Sequence, residues 1–360
     1  MVVVDKTGKK FTMYETLSRV LLGPGWDWLA AFNMFAFGFG SCVFFVISLG
    51  TLLLTATEDP SVNSFLRSDW GNRVMVIMIW LFIMLPLSIP KEINSVRYTS
   101  FLACVFITYL VAMMVVQAVM HGFENGKPIH DVAMFKTGNG PIIGFSMVIF
   151  SYLCQINTFE LYGEMTKPSP ALLTRDTAIA MIYTVVLYII CGVFAYYQFG
   201  EEMASYILLS YNLRDSAMIA VAYALVGFSM CTIFPLVLQP ARDALYHMLG
   251  LYFPMFKSVK TVPFWLHAII CATMSFVSLV LGLFIDKTNV WFSLVGSFCT
   301  AFLGFIFPAL FYMYSGNWSL KTVGWFNYIS TYLLLIGGII SLVFGCAAVV
   351  YLEIFPDATE

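Results

Sequence analysis

The sequence predicts an all-α protein that crosses a membrane nine times, and three observations carry that prediction. Of the 360 residues, 60% are hydrophobic and 11% are charged, and the mean hydropathy is +0.86, far from the usage of soluble globular chains. The charged residues cluster, leaving long charge-poor runs between them. Most of those runs reach the ~20 residues a helix needs to cross a hydrocarbon layer.

Residues 1–26 are polar and lack the apolar core of a cleavable signal peptide. Spans are then expected at 28–54, 74–90, 99–120, 141–159, 177–199, 216–241, 262–285, 289–314 and 323–352. The second is short and ends at Pro86 and Pro90, yet omitting it would leave two spans of one direction joined by a short loop. The fourth differs in kind. Ser151, Cys154, Gln155, Asn157, Thr158 and Glu160 crowd its second half, at a depth where hydrocarbon leaves unpaired polar groups costly. Such a segment suggests a solute site, although contacts between neighbouring helices satisfy polar side chains equally well.

Lys and Arg in alternate loops set the orientation. Lys6, Lys9, Lys10, Arg19, Lys91, Arg97, Lys167, Arg175, Arg242, Lys257, Lys260 and Lys321 fall on one side, twelve of the 18 basic residues. That excess places the N-terminus in the cytosol and the C-terminus outside. Trp26, Trp28, Trp70, Trp265, Trp291, Trp318 and Trp325 lie near span ends, as interfacial anchors do, while Trp80 lies inside a span. The Asn317-Trp318-Ser319 sequon falls on the cytosolic side, so it is expected to be unmodified.

Several chemistries are unsupported. A net charge of −2 with no basic stripe argues against nucleic-acid partners. The eight cysteines sit one to a span in every span but the second, which excludes a loop disulfide framework. His121, His130, His247 and His267 have no metal-ligand spacing, and no nucleotide-binding or zinc motif occurs, so neither a metal nor a cofactor is implied. Gly38 and Gly40, the Gly296, Thr300, Gly304 set and the Gly337, Ser341, Gly345 set are expected to be packing seams of small residues.

Five strings in order resemble the amino acid/auxin permease family of the amino acid, polyamine and organocation superfamily. They are TGKKFTMYETLSRVLLGPGWDWL from Thr7, LPLSIPKEINSVRYTSFLA from Leu85, CQINTFELYGEM from Cys154, Phe199-Gly200 with Ile207-Leu208-Leu209, and FPLVLQPAR from Phe234. The resemblance implies eleven helices, ten of them in a LeuT-like five-plus-five inverted repeat with the first and sixth broken in mid-membrane. On that scheme the nine spans are helices three to eleven, and the architecture is truncated at the N-terminus. The implied division is a cytosolic segment 1–26, one transporter domain 27–352 and a tail 353–360. Within the domain, 27–120 is a remnant of the first repeat, 141–314 the second repeat and 323–352 an additional helix.

The implied function is amino acid transport by alternating access, and the alternative is a non-transporting sensor or regulatory subunit derived from such a transporter. An enzyme is not implied, because no nucleophile, base and orienting group converge on a recognisable motif. A broken helix presents free N–H groups to a carboxylate and free carbonyls to a cation or ammonium group, and an amino acid carries both charges. Substrate contacts are expected from Ser151, Cys154, Gln155, Asn157 and Thr158, with Asn33 of the first span. Glu160 and Glu164, one turn apart, are candidates for gating or proton exchange, with a solvated helix end as the plain alternative. Ser229 and Thr232 match the helix that shares an ion site in sodium-coupled relatives, although hydroxyls there also bond back to their own helix. No carboxylate lies deep in a span, so coupling to Na+ or to H+ stays open. Plasma membrane and vacuolar or lysosomal membrane fit equally, and the oligomeric state is not readable from sequence.

Overall fold

Apolar runs fold as helices because lipid leaves the backbone no partner but itself. The structure, a computed structural model, describes residues 13–57, 63–91, 97–124, 127–128, 140–200, 203–204, 206–256, 261–284, 295–316 and 318–354. Its helices are α1 (Tyr14–Leu22), α2 (Trp26–Thr57), α3 (Asp69–Ser88), α4 (Arg97–His121), α5 (Gly140–Ser151), α6 (Thr158–Glu164), α7 (Pro170–Phe199), α8 (Ala217–Gly250), α9 (Phe264–Phe284), α10 (Val295–Ser315), α11 (Leu320–Val323) and α12 (Trp325–Ile354). A two-residue ladder, β1 (Phe123–Glu124) against β2 (Lys127–Pro128), follows α4.

Among the described residues eight helices, α2, α3, α4, α7, α8, α9, α10 and α12, are long and apolar enough to cross a membrane. The expected span at 141–159 is not among them. It is divided into α5 and α6, of 12 and 7 residues, and neither piece spans alone. Outward-facing apolar side chains are what a lipid solvent permits, and α7 exposes Ile179, Ile182, Val186 and Ile189 in this way. Asn317 of the sequon lies outside the described residues.

The long α2 is the centre of the packing. One buried cluster joins its Cys42, Val46, Leu49 and Leu52 to α3, α4, α8 and α9, and a second joins Ala30, Ala31, Met34 and Phe37 to α1, the α5–α6 connection and α10. Small residues allow the close crossings. A Cβ on Gly38 would lie 2.6 Å from the Val237 carbonyl oxygen and 2.8 Å from Ala241 Cβ, on Gly40 2.8 Å from Val295, and on Gly282 2.5 Å from Val46. Gly38→Val is therefore expected to cost about 1–3 kcal/mol through overpacking. Gly192→Ala, whose Cβ would meet nothing within 4 Å, is expected to be neutral or slightly stabilising. Thermal unfolding in detergent checks both, and equal behaviour of the two variants would contradict the crossing.

Two spans carry a π turn, each ending two residues before a proline. In α3 the turn covers Trp80–Met84 ahead of Pro86, and in α10 it covers Ala301–Ile306 ahead of Pro308. Proline supplies no N–H and its ring crowds the carbonyl four residues back. The ladder shifts by one residue instead, with Leu85 N–H donating to Trp80 O and Phe307 N–H to Phe302 O. The turn in α3 also places the intramembrane Trp80, whose indole N–H donates to Ser275 Oγ at 2.7 Å.

Just beyond α3, α8 and α9 supply donors to the carbonyls of Ile89, Pro90 and Lys91. Arg242 is 2% exposed. Its Nη1 donates to Pro90 O and its Nη2 to Lys91 O, both at 3.4 Å, while Nε pairs with Asp243 Oδ1 at 2.8 Å. Gln239 Nε2 also reaches Pro90 O, at 3.5 Å. His267 Nε2 lies 3.0 Å from Ile89 O, and a carbonyl only accepts, so this nitrogen carries the proton and Nδ1 takes the Tyr246 hydroxyl.

Residues 1–26, expected as a polar approach, contain the docked helix α1. Gly23 and Gly25 take φ of 104° and 95° around Pro24, a reversal that glycine makes without strain. Asp27 then closes the corner, accepting from Gly25 N–H at 3.1 Å and pairing with Arg19 at 3.3 Å and His247 of α8 at 3.6 Å.

Candidate functional site

The break in the fourth apolar run is built locally. The last turn of α5 tightens, with Tyr152 N–H donating to Ile149 O and Leu153 N–H to Phe150 O. Cys154 (φ −110°, ψ −3°) and Asn157 (φ −96°, ψ 4°) then flank a 3-10 turn at Gln155–Asn157 before α6 begins. Serine and asparagine compete with the backbone for its own hydrogen bonds and weaken a helix interior. In lipid that weakness survives only where protein or a cavity surrounds it.

Neighbours hold the break on one side. Phe150 packs at Gly296 and Leu153 at Gly304, where added Cβ atoms would lie 3.3 Å and 3.2 Å from them. Ile156 is buried with Cys299, Leu303, Ala30 and Met34, and the rings of Phe37 and Phe150 lie 5.0 Å apart. From α1, Tyr14 donates to Leu303 O at 3.3 Å and its ring meets Phe159 of α6 edge-on at 6.1 Å. On the other side Tyr152 meets Tyr188 of α7 at 5.3 Å.

The predicted site residues differ in burial and in place. Asn33 on one side, and Gln155 and Asn157 on the other, are chain neighbours of residues in this second cluster. Asn33 is 0% exposed and lies on the α2 face of Ala30 and Phe37, with Nδ2 donating to Leu29 O at 2.9 Å and Oδ1 buried without a partner. Gln155 Oε1 and Asn157 Oδ1 are also buried without a partner. Thr158 is half-buried at the start of α6, whereas Ser151 and Cys154 are exposed, and Ser151 Oγ donates to Val148 O of its own helix. Ser229 and Thr232 sit apart on α8 beside the first cluster, where their hydroxyls donate to Leu225 O and Ser229 O at 2.9 Å. The backbone of Glu160 and Glu164 lies on α6, and their side chains lie outside the described residues.

One residue escaped sequence reading. Thr300, expected as packing, stands between Gly296 and Gly304, and its hydroxyl is buried without a partner. Its only signal was a hydroxyl in the middle of a small-residue seam. Among the described residues no group of three or more His, Cys, Asp or Glu side chains is arranged to hold a metal.

Comparison with known proteins adds an independent line. The family model for transmembrane amino acid transporter proteins matches residues 1–351. The chain is similar to vacuolar amino acid transporter 2 of Saccharomyces cerevisiae, 24% identical over 86% of this chain and 65% of that protein. Vacuolar amino acid transporter 5 of Schizosaccharomyces pombe is 24% identical over 77% of the chain and 64% of its own length. Sodium-coupled neutral amino acid transporter 7 of Homo sapiens is 25% identical over 76% and 59%. The chain thus spans less than two thirds of the length of these relatives.

Proposed function

Because the chain belongs to the transmembrane amino acid transporter protein family, we propose that it moves an amino acid across a membrane by alternating access, with the α5–α6 break as part of the substrate site. One observation carries the reading: an apolar run is interrupted in mid-course, and the buried side-chain oxygens of Gln155 and Asn157 at the interruption have no protein partner. A buried acceptor left unpaired costs about 1–3 kcal/mol, so a passing donor is favoured there. Discontinuous spans of this kind suit a five-plus-five inverted repeat, in which one part of the bundle rocks against another around a fixed site.

The sequences from 28 to 57 and 300 to 311 hold no charged side chain, and Glu160 is the one acid in the first turn of α6, a charge-poor setting that favours a neutral amino acid. The name of one relative, sodium-coupled neutral amino acid transporter 7, agrees with that class, and that of another, vacuolar amino acid transporter 2, agrees with a vacuolar or lysosomal membrane. The excess of Lys and Arg puts α1 in the cytosol. No chemical conversion is involved.

Uptake of labelled neutral amino acids into proteoliposomes tests the proposal. Gln155→Leu and Asn157→Leu are expected to lower uptake at least ~10-fold, the equivalent of one hydrogen bond. Unchanged uptake in both variants would move the site elsewhere. Binding without uptake would favour the sensor, and failure to bind any amino acid would overturn the function.

A further inference from the structure

Arg73, in the second turn of α3, is held by aromatic rings instead of acids. Its Cζ lies 5.4 Å from the centroid of Trp70 and 5.3 Å from that of Phe284 at the end of α9, within the reach of a cation–π contact. The turn itself is fixed: Ser68 caps α3 by accepting from Gly71 N–H at 3.1 Å, and Asn72 Nδ2 donates to Gly50 O of α2 at 3.0 Å. Helix α1 packs on the other end of α2, where Ser18 donates to Trp26 O, so Arg73 stands at the opposite end of the bundle. Rings engage the flat faces of a guanidinium and leave the N–H groups of its edge. Among the described residues no hydrogen bond or ion pair takes them up, although Asp69 is one turn away. Arg73 is half-buried at the head of a span, so an acceptor for that edge has to come from outside the protein.

What lies below the cation identifies that acceptor. Trp70, Arg73, Val74, Ile77, Met78 and Leu81 follow at helical spacing along one stripe of α3, and the five apolar members are all exposed. The stripe thus runs from a guanidinium at the membrane boundary, where tryptophan is at home, into the hydrocarbon. An anion with apolar chains matches both parts, and a phosphate diester meets the planar fork with two parallel hydrogen bonds. The exposed carboxylate of Asp69 beside the fork disfavours a head of net negative charge and complements an ammonium group. We infer that α3 and Phe284 form a site for a phospholipid with a primary ammonium head, such as phosphatidylethanolamine. The phosphate sits in the fork of Arg73, the ammonium group faces Asp69, and an acyl chain lies along Val74 to Leu81. This surface is built by α3 and α9 and is separate from the α5–α6 break, so it stands or falls independently of the transport reading.

The test uses the purified chain stripped of lipid in detergent, with thermal unfolding followed as dioleoyl phosphatidylethanolamine is added. Binding raises the midpoint as ligand exceeds its dissociation constant. Dioleoylglycerol has the chains without the phosphate, and glycerophosphoethanolamine and inorganic phosphate have the phosphate without the chains; none of the three is expected to protect. Phosphatidylcholine, whose head cannot donate to Asp69, and phosphatidylglycerol, whose head is anionic, are expected to protect less. Arg73→Gln and Trp70→Leu are each expected to weaken the apparent affinity for phosphatidylethanolamine at least ~10-fold, the equivalent of one charge-assisted hydrogen bond. Arg67→Gln removes an exposed cation of the preceding turn and is expected to leave the affinity unchanged. Equal protection by inorganic phosphate or glycerophosphoethanolamine would make this a site for soluble anions, and equal protection by dioleoylglycerol an apolar surface only. Either result overturns the inference, as does equal or better protection by phosphatidylcholine or phosphatidylglycerol, or full protection retained in Arg73→Gln. The wild-type ligand series decides the matter even if Arg73→Gln does not fold.

Discussion

Replacing Arg242 with alanine is expected to destabilise the fold by about 3–5 kcal/mol, the usual consequence of removing one partner from a buried ion pair. The guanidinium is 2% exposed and holds three groups at once: the Asp243 carboxylate and the carbonyls of Pro90 and Lys91. Its loss strands the Asp243 carboxylate and removes one donor each from Pro90 O, which keeps Gln239, and from Lys91 O, where α3, α8 and α9 meet. Lysine is not a substitute, because a single ammonium cannot reproduce the planar fork. Arg242→Ala with Asp243→Asn is expected to be less destabilised than Arg242→Ala alone, since the stranded charge is gone. Unfolding in detergent measures both. A loss below about 1 kcal/mol in the single variant would show that solvent reaches these carbonyls.

The spans were legible because a hydrocarbon solvent imposes one rule on every backbone group. Runs at 28–54, 177–199 and 262–285 correspond to α2, α7 and α9 within a few residues at most ends, except that α7 starts at Pro170, where a polar first turn precedes the apolar run. The polar crowd from Ser151 to Glu160 marked the interruption. It did not show which side chains turn inward, because helical spacing loses its meaning where the helix stops, and so Ser151 and Cys154 proved exposed while Gln155 and Asn157 bury their oxygens. Thr300 was hidden for a different reason. A threonine between two glycines reads as a small residue, and only its missing back-bond separates it from packing. Pro86 and Pro308 were visible, but whether a proline kinks a helix or shifts its register depends on the neighbours. Helix α1 was missed because nine residues seldom hold a helix without tertiary contacts, and those contacts come from α2, α8 and α10.

Raising the pH from 4.5 to 8 is expected to loosen α1 by about 3 kcal/mol. Glu15 is 4% exposed in the docked helix. Burial pushes its carboxyl up to about 7 from 4.5; its own backbone N–H works against the rise and the charge of Asp243 adds to it. Each pK unit is worth ~1.4 kcal/mol. The native pKa lies above that of the undocked helix, so the docked state binds more protons between the two values. Docking is therefore strongest below pH ~4.5, declines as pH rises through 7 and levels off above it. Hydrogen exchange of amides 14–22, corrected for intrinsic rates, should show a ~100-fold fall in protection across that range, while α2 and α8 stay protected. Glu15→Gln should flatten the profile and hold α1 more tightly at pH 8. His247, which faces Asp27 at 3.6 Å, titrates nearby, so His247→Gln should keep the slope if Glu15 is its source. A flat wild-type profile, or an equal slope in Glu15→Gln, would contradict the assignment. The consequence reaches the break, because Tyr14 precedes Glu15, donates to Leu303 O in the π turn and packs on Phe159 of α6. Undocking α1 withdraws both contacts together, so amides 159–164 of α6 are expected to lose protection along with α1 as the pH rises.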